Sequence, residues 1–219
     1  MTSARSDGAT PRRSSAPPRA WQRMLSGRRL DILDPSPLDI EIEDIALGLS
    51  RVARWNGQTV GEHGFSVAQH CLVVVELMVA ADPKLPRAAR LAGLLHDAAE
   101  YVTSDLITPF KRAVGRPYDE IEAKVAEAVH LAFGLPPRVP EAWESAIRAA
   151  DRAAAFAEAV QLAGFALAEA RKVLGYRGRM PSLRLEPWPA EEARRAFLAA
   201  FRDLMTDRAA TGYDPTGPG

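Results

Sequence analysis

The chain has 219 residues, 47% of them apolar and 26% charged, enough for one domain with a substantial core plus loose ends. Its 28 basic residues balance 28 acidic ones, which excludes the marked basic excess of a nucleic-acid coat or a membrane-surface protein while leaving room for a local basic cleft. Cys71 is the lone cysteine, so an intramolecular disulfide and a cysteine-rich zinc site are both excluded.

Residues 1–20 are rich in Arg, Ser, Pro and Ala. Their composition resembles an organelle transit peptide, but Pro11, Pro17 and Pro18 oppose a continuous amphipathic helix, and a disordered tail is expected. Ile42, Ile45, Leu49 and Val52 recur at helical spacing behind an acidic front. Ser66-Val67-Ala68-Gln69 has the form of a capping box and opens a helix whose inner face carries Val67, His70, Cys71, Val74, Leu77 and Met78. Cys71 reads there as a small buried hydrophobe, consistent with a reducing cytoplasm.

A third helix is predicted from Pro86 through Leu91, Leu94 and Leu95 to about Tyr101. Thr103-Ser104-Asp105 is turn-like, and Pro109 opens a short piece. Tyr118, Ile121, Val125, Val129 and Phe133 mark a helix that stops at Gly134. Pro140 begins a long Ala-rich helix carrying Trp143, Ile147, Asp151, Phe156 and Val160. Residues 172–187 read as an irregular loop, and a last amphipathic helix runs from Ala190 to about Thr206. No strand alternation is long enough to build a sheet, and no apolar run reaches the roughly 18 residues of a membrane span. The expected organisation is an all-α bundle over 21–207, with a flexible tail over 208–219.

Four potential metal ligands lie on apolar helix faces. His96-Asp97 ends the run Leu91-Ala92-Gly93-Leu94-Leu95, where burying an imidazole and a carboxylate is costly without partners. A divalent cation removes that cost, and adjacent helical residues projecting about 100° apart can straddle one ion. His70 can add an imidazole from the preceding helix, and Asp151, among small neighbours, a second carboxylate. His70 is preferred over His63, which precedes the cap; His130 reads as structural or surface. Singly, each is more often a hydrogen-bonded core histidine or a salt-bridged aspartate, so the case rests on the set.

The order His70, His96-Asp97, Asp151 resembles the signature of the HD-domain metal-dependent phosphohydrolases. Arg54-Trp55-Asn56-Gly57-Gln58, Ser66 to His70, His96-Asp97-Ala98-Ala99-Glu100 and Thr103 to Lys111 are similar to its bacterial 5′-deoxynucleotidase branch, over about residues 40–165. The resemblance implies a single HD-domain helical bundle and a nucleotide substrate. His70, His96, Asp97 and Asp151 would hold one divalent metal ion, for which Mn, Co, Fe, Ni and Zn all suit the donor set. Glu100 follows His96 by four residues and Asp97 by three, on the same predicted helix face, and the resemblance gives it a catalytic role on the attacking water.

Arg54 reads as a bidentate phosphate clamp or a surface arginine; Trp55 as a sugar-pocket wall or core packing; Asp105 as a sugar-hydroxyl acceptor or a helix cap. Lys111 reads as a surface lysine ahead of a second phosphate contact. The leading expectation is hydrolysis of nucleoside, chiefly deoxynucleoside, 5′-monophosphates in the cytoplasm, with no nucleic-acid polymer or membrane as partner. The alternatives are a dNTP triphosphohydrolase, which needs extra basic residues beyond Arg54 and Lys111, where the segments supply few candidates although Arg112 and Arg116 are near, and a nucleotide-binding regulatory protein without turnover. Composition leaves the oligomeric state open, with a homodimer among the options.

Overall fold

The computed structural model covers residues 20–210 in its described part, with side chains to residue 206. Residues 1–19 and 211–219, which hold nearly all of the two expected tails, lie outside the described residues; residues 208–210 complete the last helix. The chain opens with β1 (Trp21–Arg23) antiparallel to β2 (Arg29–Asp31), in the register Trp21–Asp31, Gln22–Leu30, Arg23–Arg29. Nine α-helices follow among the described residues: α1 (Ile42–Arg51), α2 (Val67–Ala81), α3 (Arg87–Leu94), α4 (Glu100–Thr103), α5 (Thr108–Val114), α6 (Arg116–Ala132), α7 (Glu141–Gln161), α8 (Leu167–Leu174) and α9 (Ala190–Ala210). No described helix is long and apolar enough to cross a membrane. The fold is all-α, as expected.

The hairpin is a departure from the sequence expectation. Three-residue strands are too short to show alternation, and tertiary contacts hold them: Leu30 is fully buried, and the Ser26 N–H and hydroxyl both donate to Asp44 of α1.

Helix α2 is the centre of the molecule, packed by α1, α3, α7 and α9. It is apolar around most of its circumference, as a surrounded helix must be, and burying Val67, Val74 or Met78 contributes ~1.5–3 kcal/mol each. Its cap forms half of the expected box: the Ser66 hydroxyl accepts from the Gln69 N–H at 3.2 Å. The Gln69 side chain turns away, its Nε2 donating to the Glu186 carbonyl (2.6 Å) and its Oε1 accepting from the Trp188 N–H (3.1 Å). Gln161 does the same from α7, donating to the Leu183 carbonyl and accepting from the Leu185 N–H. Two glutamines thus strap the segment between α8 and α9 across α2 and α7. On α7 the buried alanines 150, 154 and 157 form the small-residue stripe that lets it approach α2.

Two expectations need correction. Helix α3 stops at Leu94, and residues 95–99 form a turn before α4, so His96 and Asp97 lie between two helices, not inside one. Close packing sets this bend: a Cβ at Gly93 would run into Met78 Sδ of α2, and one at Gly48 would lie 2.7 Å from Tyr101 Cβ of α4. The chain also spends Leu167–Leu174 on α8, which ends at Gly175 in the left-handed conformation, so the irregular segment begins three residues later than expected.

Candidate metal centre

Three elements bring the expected ligands together. Helix α2 carries His70, the 95–99 turn carries His96 and Asp97, and α7 carries Asp151. One ligand atom from each of His70, His96 and Asp97 lies within 4.8 Å of the others. The Nε2 of His70 is 3.2 Å from Asp151 Oδ1 and 3.5 Å from Asp97 Oδ2, and the Nε2 of His96 is 3.2 Å from Asp97 Oδ2. Neither imidazole nitrogen makes a directed hydrogen bond, although both are buried. Two orphaned imidazole nitrogens facing two carboxylates are the donor set of a divalent cation, so the residues fit such an ion. Side-chain exposure rises from 0% at His70 through 10% at His96 and 23% at Asp97 to 39% at Asp151, so the cluster opens to solvent on the α7 side.

The electrostatics agree. Burial opposes charge on His70, as does Arg54, yet Glu158 and Asp151 carry its pKa up to about 9. Burial likewise opposes charge on His96, but Asp97 beside it holds that imidazole well above the usual range. Burial raises Asp97 and Asp151, and the imidazoles more than reverse it, holding both carboxyls below their ordinary values. Without an ion, protons on the imidazoles supply the positive charge the carboxylates demand. Cys71, fully buried beside His96, has its thiol pushed up by burial and stays neutral, as its bland reading implied.

Glu100 opens α4 and is 3% exposed. Its Oε1 is 3.5 Å from Lys111 Nζ, and its Oε2 is buried without a partner. Burial, with Asp97 and Asp105 nearby, pushes its pKa up to about 8 despite Arg54 and Lys111. Lys111 is no free surface lysine: it also pairs with Glu122 at 3.0 Å, where the Tyr118 hydroxyl donates as well.

Arg54 and Trp55 sit in a tight turn, Arg54–Gly57, in which Trp55 and Asn56 both take left-handed backbone (φ 57° and 51°). The Arg54 N–H donates to the Phe65 carbonyl and the Val67 N–H to the Val52 carbonyl, pinning this turn to the start of α2. Arg54 is only 14% exposed on its side chain, which removes the surface alternative; two carboxylates hold it, Nη1 donating to Asp105 (3.0 Å) and Nε to Glu158 (3.3 Å). Asp105 is not a helix cap, since Ile107 caps α5. The Trp55 ring packs 5.8 Å from Phe165 in a second apolar cluster with Phe156, and its indole N–H donates to Glu158 at 2.9 Å.

Glu158 is the member that sequence reasoning missed. It is fully buried, and its Oε1 accepts from His70 Nδ1 at 2.6 Å. Burial raises its pKa, but Arg54 and His70 outweigh that and leave it at about 2. The available signal was its spacing, seven residues after Asp151, two turns along one stripe of α7. His63 and His130 stay outside the cluster; His130 Nδ1 meets the Pro137 carbonyl at 3.2 Å.

Comparison with known proteins bears on this geometry. Residues 47–167 match the family described as 5′-deoxynucleotidase YfbR-like, a span that contains the whole cluster from Arg54 to Glu158. The chain is 53% identical over 191 residues to an uncharacterized protein of Rhodobacter capsulatus, covering 85% of this chain and 96% of that one. It is 34% identical over 99 residues to the uncharacterized protein YfdR of Escherichia coli K12, covering 45% of this chain and 50% of that one. With its helical fold and its histidine–aspartate cluster, the chain belongs to the YfbR-like 5′-deoxynucleotidase family of HD-domain nucleotide phosphohydrolases.

Proposed function

We propose that this protein hydrolyses nucleoside 5′-monophosphates, with deoxynucleotides preferred, to nucleoside and phosphate, using one divalent ion held by His70, His96, Asp97 and Asp151. The observation that carries the proposal is the convergence of two unpartnered buried imidazole nitrogens on two carboxylates, beside a buried Glu100. A bound ion of this kind polarises a phosphoryl oxygen and acidifies a water. Glu100 takes the proton of the attacking water as its oxygen bonds to phosphorus and the ester P–O bond breaks; the proton then passes to the leaving 5′-oxygen. Its raised pKa suits a group that must both gain and lose a proton near neutrality.

Arg54 presents the nitrogen that no carboxylate engages, Nη2, to the phosphate, and Asp105 orients the guanidinium. This replaces the simple two-pronged clamp expected from sequence. The same pairing argues for a monophosphate. Arg54 and Lys111 are already balanced by carboxylates, Arg116 is 92% exposed and paired with Glu120, and Arg112 is exposed, so the buried part of the site offers little free positive charge for three phosphates. The substrate is a small molecule in this reading, and the enzyme works in the cytoplasm.

The test is a screen of NMP, dNMP and dNTP substrates with Mn, Co, Fe, Ni and Zn. Inorganic phosphate from dNMP is expected. Tripolyphosphate from dNTP would favour the triphosphohydrolase alternative, and no turnover with any ester and metal would leave a nucleotide-binding protein.

A further inference from the structure

We propose that Glu158 is a positioning residue that joins the metal centre to the phosphate-binding arginine, one carboxylate oxygen fixing His70 and the other fixing Arg54 and Trp55. An ionised carboxylate can only accept, so the 2.6 Å contact requires the proton on His70 Nδ1. That choice makes Nε2, aimed at Asp97 and Asp151, the nitrogen whose lone pair an ion would take in place of a proton. The other oxygen takes the Trp55 indole N–H at 2.9 Å and Arg54 Nε at 3.3 Å.

One of those donors, Trp55, is itself a left-handed residue of the 54–57 turn, and the other, Arg54, immediately precedes it. Left-handed backbone at non-glycine residues is strained and persists only where the surroundings over-determine it. Glu158 supplies that restraint from the opposite wall of the site. A fully buried carboxylate is costly unless its oxygens accept hydrogen bonds, and here three donors from two separate elements satisfy both oxygens. One stripe of α7 therefore delivers a ligand, Asp151, and the support of a second ligand, His70. The consequence is mutual dependence: the histidine's orientation and the arginine's placement cannot be set independently.

The inference rests on the proposed phosphohydrolase function for its substrate arm alone. In the full chain, Glu158→Gln removes the charge and one acceptor at nearly constant shape. Titration with Mn2+ and Zn2+ should show metal affinity reduced by about 10–100-fold, the usual range for a lost supporting carboxylate. KM for a deoxynucleoside monophosphate should rise several-fold, with kcat less affected because Glu100 is intact. A folded variant with wild-type metal affinity and wild-type KM overturns the proposal, whatever its melting temperature, because a role in stability alone would move only the latter.

Should the variant fail to fold, the wild type decides. The zinc-loaded protein should show an exchange-protected, strongly downfield proton on His70 Nδ1 by NMR. A His70 ring protonated on Nε2 and bare at Nδ1 overturns the proposal. If the wild type hydrolyses no phosphate ester, the proposed function falls, while the metal titration and the NMR signal still judge Glu158.

Discussion

At the scale of residues, the proposed roles fall on separate side chains, proton transfer on Glu100 and metal binding on the four candidate ligands. Glu100 Oε2 has no partner, so replacing it with an amide leaves the ligand cluster in place. For Glu100→Gln we expect kcat to fall by about 10²–10⁴-fold, as for loss of a positioned proton-transfer group. Calorimetric metal affinity should stay within a few-fold of wild type. The pH behaviour of the metal-free protein follows from His96, held well above its ordinary value by Asp97, and two further groups. His70 titrates at about 9 folded against 6.5 ordinarily, and Glu100 at about 8 against 4.5. Both bind protons more tightly when folded, so their contribution is complete below the ordinary pKa and is lost as pH rises through the folded one. Tm of the metal-free protein should therefore fall as pH rises from about 4.5, where Glu100 begins to lose its contribution, to about 9, and metal affinity should climb toward pH 9 as His70 Nε2 loses its proton. Thermal melts and metal titrations across that window check both signs.

Much of this centre was legible in the sequence, because a histidine inside a capped apolar helix and a His-Asp pair after five small or apolar residues are chemically out of place. Glu158 was not legible. A single glutamate in an Ala-rich helix looks like any solvated residue until the neighbouring helix and the Arg54 turn are seen to close over it.

At the scale of elements, periodicity identified the long helices and failed where packing overrides it. The stretch from Leu91 to Glu100 contains no proline and only Gly93, yet the helix breaks at Leu95, because α3 and α4 each press on a different partner. The three-residue strands and the eight-residue α8 carry too little pattern to stand out. The close approach of α1 to α4 gives a direct check. Gly48→Ala places a Cβ 2.7 Å from Tyr101 Cβ, next to Glu100, and should cost about 1–3 kcal/mol by denaturant unfolding. Turnover should fall more than metal affinity, since α4 carries Glu100 and none of the four ligands.

At the scale of the whole molecule, the ion would tie α2, the 95–99 turn and α7 at one point. Metal at ~100 times its Kd adds about 2.7 kcal/mol to stability. For a domain of this size each kcal/mol moves Tm by roughly 2–4 °C, so chelation should lower Tm by about 5–10 °C. An unchanged melt with and without EDTA would contradict a metal bridging these elements.

The balance of charge around the mouth has a consequence for timing. Asp97, Asp105, Asp151, Glu100 and Glu158 crowd a space whose cations, without the ion, are Arg54 and Lys111, both paired with carboxylates, and the two protonated imidazoles. As pH rises and the imidazoles lose those protons, a phosphate dianion reaching the cleft first would be repelled, so cation entry should precede nucleotide entry, a pH-dependent order of addition. Above about pH 9, nucleotide injected into the chelated protein should give no heat, and the same injection after the cation should give a full isotherm.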